Sequence, residues 1–186
     1  MQNQLSASSL LLGRVSQPQL QAPGPNNNQL DFILKAAMAV PDHGAIQPWQ
    51  FTVVQGEGLQ RLSDIFASTI DANEDNQAKL EKVKRMPFRA PCIIVVSTRY
   101  QHHEKVPHQE QLVAAGCATH AMQMAAYTQG LGAMWRTGDM AYNDMIKDGL
   151  EIDKSDDIVG FLYIGTPAKT IPQKSRKPYQ PLVSYL

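Results

Sequence analysis

The sequence predicts an α+β fold in which helices cover both faces of one sheet, giving three layers in the order α/β/α. The run CIIVVST at 92–98 is apolar throughout and largely β-branched, which is typical of a central strand buried on both faces. The segments 59–72 and 110–129 carry apolar residues with helical periodicity. A sheet that needs cover on both sides, with helices that each bury a face, predicts this layered class.

The first half of the chain predicts helices on either side of an early strand. A short helix is expected over 4–13, followed by a connector that prolines and asparagines interrupt. A second helix should start at Asn28 behind an asparagine cap and end at Pro41. The elements expected next are a strand at 51–55, an amphipathic helix at 59–72 and a charged, solvated helix at 73–86.

The second half predicts the rest of the sheet and one unusual helix. Apolar residues cover nearly the whole circumference of the helix at 110–129, so we expect it to be buried on all sides, partly by a second subunit. Four prolines keep the tail after residue 165 extended, and its last five residues resemble a strand that needs a surface. The other elements expected are strands at 132–138 and 158–165 and a small helix at 142–150.

Length and charge exclude several classes of function. With 186 residues, we expect a single domain over 1–186. Seventeen basic and seventeen acidic residues cancel, so no global charge attracts nucleic acid or an anionic membrane, and any anion site must be local. Cys92 and Cys117 lack metal or disulfide spacing, and no secretion signal or membrane span is evident, so we expect a cytoplasmic protein.

Most residues that could carry chemistry have a plainer interpretation. The sequence has no GxGxxG, GxxxxGK[ST] or GxSxG motif. The histidines at 102–108 could bind a metal, but a solvated loop is favoured because adjacent side chains diverge. Cys117 and His120 lie three residues apart on the apolar helix, where we expect Cys117 to be core packing, and Met122, Met124 and Met134 to fill gaps.

Two basic segments in loops could bind a phosphate monoester. Arg14 and Ser16 follow the first helix, and Lys174, Ser175 and Arg176 lie in the extended tail. Each segment combines cations with a hydroxyl, which suits a group with nearly two negative charges and three oxygens. Scattered surface charge is an equally good explanation from these residues alone.

A resemblance decides between these readings. The loop PDHGAIQPWQF at 41–51, with Arg14-Val15-Ser16 upstream and GLGAMWRTG downstream, resembles the FMN-dependent nitroreductase family, most closely its short-chain branch of the YdjA type. The similarity extends over nearly the whole chain, through FRAPCIIVV and VGFLYIGTP at compatible spacing. It implies a nitroreductase-like fold whose mixed, mostly antiparallel sheet is completed by the C-terminal tail of a partner chain.

The resemblance also implies FMN at the interface of a homodimer. Family counterparts of the 14–16 and 174–176 segments bind the FMN phosphate, and the loop at 41–43 reaches the flavin of the neighbouring subunit. The segment 135–138 resembles the part that lies along the isoalloxazine edge, where a backbone amide of Thr137 or Gly138 would donate near N5. The FMN positions implied are Arg14, Val15, Ser16, Ala39, Pro41, Asp42, His43, Gln47, Trp135, Arg136, Thr137, Gly138, Lys174 and Arg176.

A further set of positions is associated with NADH or NADPH in relatives. It comprises Ala125, Ala126, Tyr127, Thr128, Gln129 and Gly130. At Val15, Ala39 and Ala45 the chain departs from relatives that carry basic or amide side chains there. Fewer donors around the flavin would alter its affinity or redox potential, and a shorter chain implies an open site.

The function expected is therefore an NAD(P)H oxidoreductase in which FMN passes hydride to a nitroaromatic, a quinone or another flat acceptor by a ping-pong mechanism. No side-chain acid or base is required. The alternatives are a flavin-binding or flavin-sensing protein without turnover, suggested by the reduced donor set, and a metal-dependent hydrolase built on the 102–108 loop.

Overall fold

A computed structural model describes residues 6–71, 74–172 and 175–186. The strands are β1 Leu20–Gln21, β2 Trp49–Gln55, β3 Cys92–Thr98, β4 Gly132–Arg136 and β5 Ile158–Pro167. The helices are α1 Ala7–Gly13, α2 Asn27–Ala37, α3 Glu57–Ala67, α4 Gln77–Lys84, α5 His108–Thr128 and α6 Asp144–Gly149. Within the described ranges, no helix is long and apolar enough to cross a bilayer.

The strands form one sheet in the order β1-β5-β3-β2, and β4 also pairs with β5. β3 and β4 flank β5 on opposite edges, since Ile164 of β5 pairs with Cys92 on one side and with Ala133 on the other. All pairings among the described strands are antiparallel. The α+β class is confirmed, while the mixed character of the sheet and its completion by a partner's tail stay predictions.

The central strand is covered on both faces, as its composition indicates. All seven residues of β3 are buried. Because side chains alternate across a strand, Ile94 and Val96 pack into one core with α2 and α5, and Ile93 and Val95 pack into the other with α3. These two cores produce the three layers.

Several element boundaries differ from the sequence expectation. α2 starts one residue early, because Asn26 caps it through a reciprocal capping box with Gln29. β2 begins at Trp49 rather than at residue 51. α3 is shorter than expected, ending at Ala67. β4 stops at Arg136, because Gly138 turns the chain with φ 69°.

Helix α5 is not buried on all sides by this chain alone, and burial of the rest by a second subunit stays a prediction. Its side chains at Glu110, Val113, Cys117 and His120 are exposed, and Val113 is 61% exposed. These positions follow helical spacing, so they form one stripe along the helix, which we call the α5 stripe. Cys117 is exposed, so the expectation that it is core packing is wrong for one chain.

The end of the tail also differs. Residues 180–182 form a short 3-10 turn, and the last described residues are not paired into the sheet. Leu182 and Tyr185 are 87% and 90% exposed. The described part of this chain therefore does not cover the apolar side chains at the end of the tail. The docking surface expected for the tail would lie on another molecule.

Candidate functional site

The first cleft forms where the chain leaves α1. Arg14 ends the helix in an extended conformation with ψ 131°, and this directs residues 14–16 along the edge of β4. Gln17 N–H then donates to the Ala133 carbonyl at 3.0 Å. A cleft of about 330 Å³ results, lined by Arg14, Val15, Ser16, Pro18, Met134, Ile171 and Arg176. The structure thus brings Arg176 of the tail to the 14–16 segment.

Two guanidinium groups meet in this first cleft. Arg176 Nη2 donates to the Arg14 carbonyl at 2.7 Å. Burial, and then repulsion from Arg176, lowers the pKa of Arg14. Arg14 Nη1 is buried and, within the described chain, has no hydrogen-bond partner. An orphaned cationic donor beside a second guanidinium fits an anion with several oxygens.

The second cleft adjoins the first, and Met134 lines both. Its volume is about 340 Å³. Aromatic and methionine side chains form most of its wall, and two arginines and a glycine turn complete it. Its lining residues are Phe66, Met86, Arg89, Met134, Trp135, Arg136, Thr137, Gly138, Met140, Phe161 and Tyr163. The predicted segment 135–138 therefore lies along this cleft.

The arginines of the second cleft lie around a buried tyrosine. The Arg136 guanidinium is 5.7 Å from the centre of the Tyr163 ring, and Arg136 Nε is buried without a partner among the described residues. Burial raises the pKa of Tyr163, and the positive charges of Arg89 and Arg136 oppose that rise. Trp135 points to the opposite face of β4, where its Nε1 donates to the Val159 carbonyl at 3.0 Å.

Arg89 is the residue that sequence reasoning missed. It lies in the short 3-10 turn Pro87–Arg89, directly before β3, and its side chain is half-buried. The signal was a lone basic residue between Pro87 and Pro91, at the entrance to the central strand. Met134 was also underestimated, because it lies between the two clefts rather than only filling the core.

The loop 41–47 forms a separate, tightly held structure. Gly44, Ala45 and Gln47 have φ of 77°, 51° and 50°. Asp42 Oδ2 accepts the Gln47 N–H at 2.7 Å, and His43 Nδ1 lies 2.7 Å from Glu110 Oε2. In its own chain this loop does not line either cleft. Ala39 and Pro41 are exposed beside it, so the role predicted for these positions toward a partner's flavin stays a prediction.

The remaining predicted positions have mixed surroundings. Ala125 and Ala126 are core residues, and Tyr127 lines a small, mostly apolar cavity with Arg14 and Gln17. Thr128, Gln129 and Gly130 form the end of α5, where Gln129 Nε2 donates to the Gln29 carbonyl at 3.2 Å. Their role toward a nicotinamide nucleotide stays a prediction, and Lys174 lies outside the described residues.

Other expectations concern packing and the histidine loop. Trp49 is an anchor of the core, 7% exposed, with Nε1 3.4 Å from Met38 Sδ. His102, His103 and His108 are exposed, as expected of a solvated loop. Among the described residues, no group of three His, Cys, Asp or Glu side chains is placed to hold a metal ion.

Known proteins resemble this chain over nearly its whole length. Residues 12–166 match the model of the nitroreductase family. The "Putative NAD(P)H nitroreductase YdjA" of Escherichia coli (strain K12) is 43% identical over 164 residues, covering 88% of this chain and 89% of that protein. The "Putative NAD(P)H nitroreductase" of Haemophilus influenzae is 32% identical over 173 residues, covering 92% and 94%.

Solved structures show the same fold. A nitroreductase-like family protein from Bacillus cereus superposes with a TM-score of 0.88 at 25% identity, covering 100% of this chain and 98% of that one. The FMN and NADPH-dependent nitroreductase NfnB from a Sphingopyxis strain superposes with a TM-score of 0.75 at 17% identity, covering 98% and 99%. The sequence matches and the shared fold establish that this chain belongs to the nitroreductase family, a family of oxidoreductases.

Proposed function

We propose that the two adjoining clefts bind FMN. The observation that carries this proposal is a concentration of positive charge in a chain of zero net charge. Arg14, Arg176, Arg89 and Arg136 converge on the two clefts, and the described residues that line them include no Asp or Glu. Arg14, Arg89 and Arg136 are half-buried, and gathering these cations without a carboxylate is unfavourable unless an anionic or electron-rich ligand accompanies them.

The two clefts differ in the part of FMN that they suit. The first cleft offers guanidinium donors and the Ser16 hydroxyl, which fit the phosphate, and Lys174 belongs to the same tail segment. The second cleft offers an apolar, aromatic wall with arginines at its edge, which fits a flat ring with polar atoms on its rim. The turn at Gly138 leaves room for close approach, since no atom lies within 4 Å of a Cβ placed there.

The activity we propose is NAD(P)H oxidoreduction by a ping-pong mechanism, with nitroaromatics, quinones or similar flat compounds as acceptors. Bound FMN would supply the hydride chemistry. The chain's own residues would bind and orient it: the Thr137 or Gly138 amide would donate to the ring, and Arg89 and Arg136 would place positive charge in the same cleft. This charge would replace part of the donor set that the chain lacks at Val15, Ala39 and Ala45.

A second copy of the chain would complete the site. The α5 stripe leaves one face of the helix uncovered, with Val113 61% exposed, and the tail ends in exposed apolar residues. Pairing of two chains through this face would cover the stripe and bring residues 41–43 of each copy towards the clefts of the other. We propose a homodimer in which the tail also extends the partner's sheet.

The test is reconstitution with FMN followed by reduction. Purified protein is incubated with excess FMN, separated by gel filtration, and its flavin absorption and mass are measured. We expect a yellow dimer whose colour bleaches rapidly with NADH or NADPH in anaerobic stopped flow. A colourless protein would overturn the FMN proposal, and a yellow protein that neither nucleotide bleaches would favour flavin binding without turnover.

A further inference from the structure

A third cleft adjoins the first and is larger than either of the other two. Its volume is about 610 Å³, and it shares Val15 and Ile171 with the first cleft. Its walls come from α1, from the end of α5 and from the chain at and just after the end of β5. Small-molecule sites commonly have volumes of about 300–1,000 Å³, so this cleft has room for a ligand group of its own.

Hydroxyl groups and one cation line the third cleft. Ser8 and Ser9 contribute from α1, Tyr127 contributes from α5, and Thr170 contributes from the segment after β5. Lys169 is the cation, and the described residues that line the cleft include no Asp or Glu. The cleft therefore suits a ligand group that combines negative charge with several hydrogen-bonding oxygens.

Gln17 brings a buried acceptor to the same place. It lines the third cleft and also an adjoining cavity of about 110 Å³, and Tyr127 lines both as well. Gln17 Oε1 is buried and has no hydrogen-bond partner in the described part of the chain. A buried acceptor without a donor is unfavourable, so a ligand that supplies an N–H group here would stabilise the protein. Leu12 and Ile171 add apolar surface for a flat ring.

The position of the third cleft relative to the first indicates what this ligand group is attached to. The first cleft carries Arg14 and Arg176, which we propose bind the FMN phosphate, and it meets the third cleft at Val15 and Ile171. A phosphate held by the two arginines therefore lies next to a cleft that contains another cation, Lys169. A second phosphate joined to the first, with a ribose and a base, would extend from one cleft into the other.

We propose that the third cleft binds the adenylate half of FAD, so that this chain takes FAD as well as FMN. The inference rests on the proposed function, because the first cleft must hold the phosphate that the two cofactors share. Lys169 pairs with the second phosphate, and the hydroxyl groups of the cleft bind the ribose. Gln17 Oε1 accepts a hydrogen bond from the 6-amino group of the adenine.

The experiment measures cofactor binding and needs no turnover. Flavin-free protein is titrated with FMN and, separately, with FAD by isothermal titration calorimetry. In wild type, we expect the Kd for FAD to be no more than about tenfold above the Kd for FMN, because the added adenylate group finds a cleft with complementary groups. An FAD affinity lower than this would overturn the proposal.

Two variants of the third cleft test its individual groups. K169Q removes the exposed cation, and Q17L removes the buried acceptor at similar size. Each should lower the FAD affinity about fivefold and leave the FMN affinity within about twofold of wild type. An unchanged FMN affinity also shows that the variant is folded, and K169Q decides the matter if Q17L does not fold. K79Q, an exposed lysine of α4 outside the three clefts, is the matched control and should change neither affinity.

The outcomes distinguish the adenylate site from the proposed function. Wild-type protein that binds neither flavin would overturn both together. Protein that binds FMN, but whose FAD affinity K169Q leaves unchanged or lowers no more than its FMN affinity, would overturn only the adenylate site. The adenylate half of a nicotinamide nucleotide is the other source of this group, so FMN-loaded protein is also titrated with NAD⁺. A fivefold loss of NAD⁺ affinity in K169Q with unchanged FAD affinity would assign the cleft to that nucleotide and overturn the FAD proposal.

Discussion

The two clefts place arginine pairs in contrasting surroundings. Arg14 and Arg176 lie in the first cleft with a hydroxyl and a tail segment around them. Arg89 and Arg136 lie in the second cleft against Tyr163 and several methionines. Arg176 is exposed, so solvent and mobile counterions weaken its charge interactions, whereas the apolar wall of the second cleft strengthens those of Arg89 and Arg136. The same residue type should therefore determine affinity in one cleft and redox potential in the other.

The largest effect should come from the first cleft, which we propose binds the FMN phosphate. The double variant R14Q/R176Q is expected to weaken FMN binding at least about a hundredfold, because each charge-assisted hydrogen bond contributes roughly 1.5–3 kcal/mol. Binding of riboflavin, which lacks the phosphate, should change far less. Flavin fluorescence titrations measure both affinities, and equal losses for the two ligands would contradict the assignment of the phosphate to this cleft.

Replacement of Arg89 or Arg136 in the second cleft should instead affect the flavin midpoint potential more than the FMN affinity. R89Q and R136Q are expected to lower FMN affinity less than tenfold but to lower the flavin midpoint potential by roughly 30 mV, about 1.4 kcal/mol for a two-electron couple. The reduced ring carries more negative charge, so loss of a nearby cation destabilises it. Potentials are measured by equilibration with a reference dye. R176Q in the first cleft is the control. An equal shift of its midpoint potential would mean that the two clefts do not differ in this respect.

The turn at the end of β4 gives a smaller, backbone-based test. Gly138 has φ 69° and ψ −171°, a conformation that is nearly restricted to glycine. G138A should lower the free energy of unfolding by about 1–3 kcal/mol through strain rather than collision, since space for a Cβ is available. It should also shift the midpoint potential without changing the ratio of FMN to riboflavin affinity. Urea unfolding and dye equilibration measure the two effects.

The smallest expected effect is that of a stability control outside both clefts. N26A removes the side-chain cap on α2 and should cost about 1 kcal/mol of unfolding free energy. FMN affinity and midpoint potential should remain those of wild type in the folded protein. A change in either would mean that global stability, rather than local charge, explains the arginine variants.

The difference between prediction and structure is clearest for β3 and α5. The β3 run was placed at 92–98 without error, because burial on both faces leaves an uninterrupted apolar pattern. The α5 pattern was equally apolar, yet one of its faces is open in this chain. Composition shows that a surface can be buried, but it does not say whether the same chain buries it.

The candidate site shows the same division. The segments 14–16 and 135–138 were identified from the sequence, and the structure places each in one of two adjoining clefts. Arg89 was missed because it lies more than 40 residues before β4, and only the pairing of both β3 and β4 with β5 brings its turn beside Arg136. Long-range strand pairing of this kind has no local signature.

The sequence by itself determined the α+β class, the buried central strand, the family and most of the segments that form the clefts. Those features depend on local patterns of apolar and turn residues, which can be read along the chain. Only the tertiary structure decided which arginines share a cleft, which face of α5 stays open and how His43 meets Glu110 across 67 residues. Each of these features depends on contact between segments that are far apart in the sequence. Such contacts are determined by sheet register and helix packing rather than by residues adjacent in the sequence.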